Sequence, residues 1–95
     1  MTGETVTDRD VWEAWRALVR QAVAQIALDS GLPPAWLEWR LWSHEADVDA
    51  ILRRHLDLVE AEQRTAPPRD DAGLRTRWHL AVAACALDVV EHVSA

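Results

Sequence analysis

The sequence predicts an all-α fold. It reads as a three-helix bundle, rising to four helices if the middle one breaks near Ser43, that pairs with a second copy of itself. Three observations carry this. Two Pro-Pro pairs, Pro33-Pro34 and Pro67-Pro68, cut the chain into three segments of similar length with no proline inside any of them. Within each segment apolar residues recur at three-four spacing, and no stretch shows strand-like alternation or an Asn-Gly or Asp-Gly hairpin turn. The third observation is residues 34–42, PAWLEWRLW, where Trp36, Trp39 and Trp42 stand three apart with Leu37 and Leu41 between them. At about 100° per residue, the leucines point one way and the tryptophans roughly the other. A helix that is apolar all round needs cover all round, and a chain of 95 residues has little mass to supply it.

Residues 1–7 read as a disordered tail. The first helix is expected near residues 8–30, opening on a capping box in which Thr7 and Asp10 satisfy each other's backbone donors. Val11, Trp12, Trp15, Leu18, Val19, Ala22, Val23 and Ile26 make one broad apolar face, and Arg9, Glu13, Arg16 and Arg20 fall mostly opposite. Gly31 suits the left-handed cap after Ser30, with Leu32 folding back on the last turn.

Pro34 is well placed as the first residue of the second helix. Leu37, Leu41, His44, Val48, Ile51, Leu52, His55, Leu56 and Val59 keep one phase as far as residue 65. That unbroken phase favours a continuous helix over 34–65, which leaves the tryptophans to a second chain; a break at Ser43, a residue type that caps new helices, instead lets Trp36, Trp39 and Trp42 turn inward as a short covering helix that needs no partner. The third helix is expected over 70–93, starting at Asp70 or Asp71, acids that suit the positive end of a helix. Its stretch 80–90 is apolar on every side except at Asp88, which predicts the central, most buried helix of the bundle.

Composition narrows the function. Apolar residues make up 49% of the chain and the net charge is −6, with no basic tail. That balance disfavours a protein that grips nucleic-acid phosphates, whose affinity comes from clustered cations. All ten basic residues are arginine, and Phe, Tyr, Asn and Lys are absent while Ala is abundant, the usage of a high-GC bacterial genome. The same bias raises Trp, yet six tryptophans in 95 residues is far above ordinary usage. Cys85 is the only cysteine, so no intrachain disulfide forms and a reducing cytoplasm is compatible. The first residues lack the charged and apolar regions of a signal peptide, and no apolar run reaches the roughly 18 residues that a membrane span needs.

The candidate binding surface is Trp36, Trp39 and Trp42 with Arg40, because tryptophan and arginine dominate interaction hot spots. A polar cluster is the second candidate. Asp88 and His92 lie one turn apart on the third helix, and His55 lies in the apolar stripe of the second. Together they offer a metal site or an acid–base pair, with a buried His–Asp hydrogen bond as the plainer alternative. His44 and His55 are three turns apart and cannot share an ion. Cys85 on an apolar face reads as inert core. No phosphate loop, nucleophile elbow or zinc motif is present, so no cofactor is expected.

Ile26-Ala27, Gly31-Leu32, Pro34-Ala35 and Leu37 resemble the turn of a helix-turn-helix of the TetR type. The likeness covers residues 26–37. It implies a DNA-binding regulator whose recognition helix starts at Pro34, with Arg40 as that helix's cation. The departures are a single long helix before the turn and Trp36, Glu38 and Trp39 where base and phosphate contacts belong. The leading expectation is therefore a small soluble cytoplasmic accessory protein, not an enzyme, acting through its Trp-rich helix on a second copy or another protein. A helix-turn-helix regulator is the alternative, and an enzyme or metal site at His55, Asp88 and His92 is the next.

Overall fold

The computed structural model describes residues 7–95. These form four helices, α1 (Asp8–Asp29), α2 (Pro34–Ser43), α3 (Glu45–Thr65) and α4 (Asp71–Ser94), with no strand among the described residues. Of the expected tail, residues 1–6 lie outside the described residues. Thr7 is the N-cap of α1: its hydroxyl accepts from the Asp10 N–H and its own N–H donates to the Asp10 carboxylate, both at 3.1 Å.

The end of α1 is a Schellman motif. The Leu32 N–H donates to the Ala27 carbonyl at 2.8 Å and the Gly31 N–H to the Leu28 carbonyl at 3.1 Å, with Gly31 at φ +74°. At the head of α4 the Asp70 carboxylate accepts from the Gly73 N–H at 2.7 Å.

The expected continuous middle helix is overturned. It breaks at His44, whose backbone (φ −114°, ψ 27°) is not helical, and the chain resumes as α3. Two features accompany the break. The Ser43 hydroxyl donates back to the Trp39 carbonyl at 2.8 Å, a local bond that bends helices. Glu45 and Asp47 then supply acids to the first turn of α3, where the helix dipole favours them. The fourfold version of the bundle is the one formed.

The core is a single cluster. Trp15, Val19, Val23 and Ala27 come from α1, Leu37 from α2, Val48, Leu52, Leu56 and Val59 from α3, and Cys85, Ala86, Val89 and Val93 from α4. Trp15 sits at its centre, its indole N–H donating to the Leu52 carbonyl at 2.8 Å and its ring meeting Trp78 edge-on at 5.8 Å. Its donor is thus satisfied while its large apolar body is buried. α4 packs along both α1 and α3, but the expectation of burial on every side fails. Ala83 and Ala84 are exposed, with Leu80 at 66% and Leu87 at 53%. Four helices leave α4 one side without a neighbour.

Candidate functional site

The break at His44 decides what the tryptophans do. As a ten-residue helix starting at Pro34, α2 packs against the other three helices and turns Leu37 into the core, with Trp36 and Leu41 packed half-buried against it. Trp39 and Trp42 remain outside, at 56% and 73% exposure. Trp42 borders a shallow cleft of about 220 Å³ lined by Arg20, Glu38, Leu41 and Glu45. Apolar centre and charges of both signs therefore share one small surface. The other tryptophans are engaged elsewhere: the Trp78 N–H donates to Gln63 at 2.9 Å, and the Arg53 guanidinium lies 4.4 Å over the Trp12 ring.

Arg40 is not an outward-facing contact. Its Nε donates to the Val93 carbonyl at 2.7 Å and its terminal nitrogen to the Ala95 backbone oxygen at 3.2 Å. The guanidinium also lies 5.9 Å from the Trp36 ring and 5.8 Å from the Trp39 ring. It caps the last carbonyls of α4, which need donors and favour positive charge, and holds Trp39 in place by cation–π attraction. Bound in this way, it is withdrawn from the phosphate-contacting role that a recognition helix would need. The remaining exposed face of α2 carries Glu38 and no cation.

The structure divides the expected His55–Asp88–His92 cluster in two. His55 Nε2 lies 2.6 Å from the Asp88 carboxylate, and Arg54 approaches the same oxygen at 3.5 Å. This pair ties α3 to α4, with His55 mostly covered and Asp88 open to solvent. His92 instead faces Asp47, 3.3 Å from its carboxylate, and its ring meets the His44 ring edge-on with centroids 5.5 Å apart. His44 Nδ1 is 3.9 Å from the same Asp47 oxygen. A second cluster, His44, Asp47 and His92, thus stands where the α2–α3 break meets the last turns of α4. Sequence reasoning missed Asp47. The His44–Asp47 spacing was readable as one turn, but nothing local linked that turn to a residue 45 positions away.

Cys85 offers no nucleophile. It is fully buried, and burial pushes its thiol from 9.0 up to about 12, with the Asp88 charge adding to the rise and Arg54 opposing it. A groove of about 510 Å³ between α1 and α4 is lined by Leu18, Gln21, Ala22, Arg75, Trp78, His79, Val82 and Ala83. These side chains suit apolar contact more than acid–base chemistry.

No helix of the described residues is long and apolar enough to cross a membrane. No family model, no curated protein and no solved structure matches this chain.

Proposed function

We propose that the chain is a non-enzymatic helical interaction protein that self-associates through the exposed indoles of α2. The carrying observation is that Trp39 and Trp42 stay exposed even though the helix break has turned Trp36 and Leu37 inward. Two open tryptophans on one short helix are costly to leave in water and are the residues that anchor interfaces. A second copy suits the surface. Arg20 lies beside Glu38 and Glu45 around the Trp42 cleft, so a two-fold rotation brings Arg20 of one copy toward the acids of the other. Trp39→Ala and Trp42→Ala should keep the helical circular dichroism and move the mass seen by light scattering from dimer toward monomer. A mass unchanged in both variants counts against α2 as the seam.

A second reading has its own support. Leu80, Ala83, Ala84 and Leu87 form an exposed apolar row on α4. Antiparallel pairing of two α4 helices through this row sets the small side chains of Ala83 and Ala84 at the crossing, where two backbones can approach closely. Leu80→Glu with Leu87→Glu in one chain separates the seams. If this variant alone lowers the mass, α4 carries the dimer and the indoles are left for another protein.

A further inference from the structure

The cluster at the α2–α3 break has the composition and the spacing of a metal site. His44 stands at the break itself, Asp47 lies in the first turn of α3, and His92 projects from the end of α4. One ligand atom from each lies within 4.8 Å of the other two. We infer that His44, Asp47 and His92 bind one divalent transition-metal ion of the zinc class, tying the α2–α3 junction to the end of α4.

The geometry can be compared with what zinc requires. Bonds of about 2.0–2.1 Å in a tetrahedron set neighbouring ligand atoms about 3.3 Å apart. The His92–Asp47 separation of 3.3 Å already meets this, the His44–Asp47 separation is 3.9 Å and all three ligand atoms lie within 4.8 Å of one another, so binding requires the His44 ring to draw in. Two imidazoles with one carboxylate suit zinc and its neighbours, whereas calcium and magnesium take all-oxygen shells. The side chains of His44, Asp47 and His92 are 31, 64 and 39% exposed, so an ion can enter and water can complete its shell. The kink sets His44 at the junction of two helices, with its ring against that of His92 from a third.

The test uses untagged protein, because a histidine tag binds the same metals. Calorimetric titration with zinc chloride should give one ion per chain, and zinc should raise the melting temperature. His92→Ala and Asp47→Asn should each weaken zinc binding at least about tenfold, the loss that even an outer-shell partner costs. His79→Ala, on an exposed residue outside the cluster, should bind as the wild type does. Circular dichroism of the metal-free variants checks that they fold. Cobalt added in place of zinc should give a visible absorption band that His92→Ala abolishes. The assignment is overturned by three results: no heat and no melting shift in the wild type, binding retained when His44 and His92 are both alanine, or half an ion per chain, which would put the metal between two copies.

Discussion

Two residues show how position sets chemistry. Cys85 is buried with its thiol pushed up to about 12, and the chain has no Lys and no Tyr. The folded state holds its proton and the unfolded state releases it, so this stabilisation is complete below pH 9 and drains away as pH rises toward 12. Urea unfolding should lose on the order of 1.4 kcal/mol per pH unit along that limb, and Cys85→Ala should flatten it. Arg40 is the second case. Its bonds to the end of α4 predict that Arg40→Ala lowers urea-measured stability by about 1–2 kcal/mol. The sequence marked Arg40 as a surface contact because the cation stands among tryptophans. Its acceptors, Val93 and Ala95, lie far along the chain and no spacing rule reaches them.

At the scale of elements, the helices with local signals were legible. The capping box at Thr7, the Gly31 turn and the Asp70 cap fall where residue chemistry put them. Gly31 has open space where a Cβ would go, and its φ of +74° alone resists substitution. Gly31→Ala should therefore cost about 1 kcal/mol in thermal or urea unfolding, from backbone strain without any clash. The break at His44 was illegible for a physical reason. A one-residue interruption leaves the stripe from Leu37 through Val48 to Val59 in phase, so periodicity reads the same for a straight and a broken helix. The bond found beside the break, Ser43 hydroxyl to Trp39 carbonyl, is one that a serine can make or decline, and the Thr76 hydroxyl makes the same bond to Ala72 inside an unbroken α4.

At the scale of the whole molecule, the sequence showed apolar surface in excess of what four helices cover, but put part of it in the wrong place. It assigned α4 to the centre because residues 80–90 are apolar. The structure covers α4 on the sides facing α1 and α3 and leaves Leu80 and Leu87 outside. It also gave all three tryptophans to a partner if the helix ran straight and turned all three inward if it broke at Ser43, whereas the broken helix takes only Trp36 into the bundle and leaves Trp39 and Trp42 outside. Among the exposed large apolar residues, the two indoles on α2 and the leucine row on α4 are the surfaces for which self-association is proposed. Light scattering of the wild-type protein at tens of micromolar addresses that claim most directly. A self-associating chain gives a mass near twice the 10.7 kDa of one chain, falling toward one chain on dilution. A mass of one chain at every concentration would contradict it.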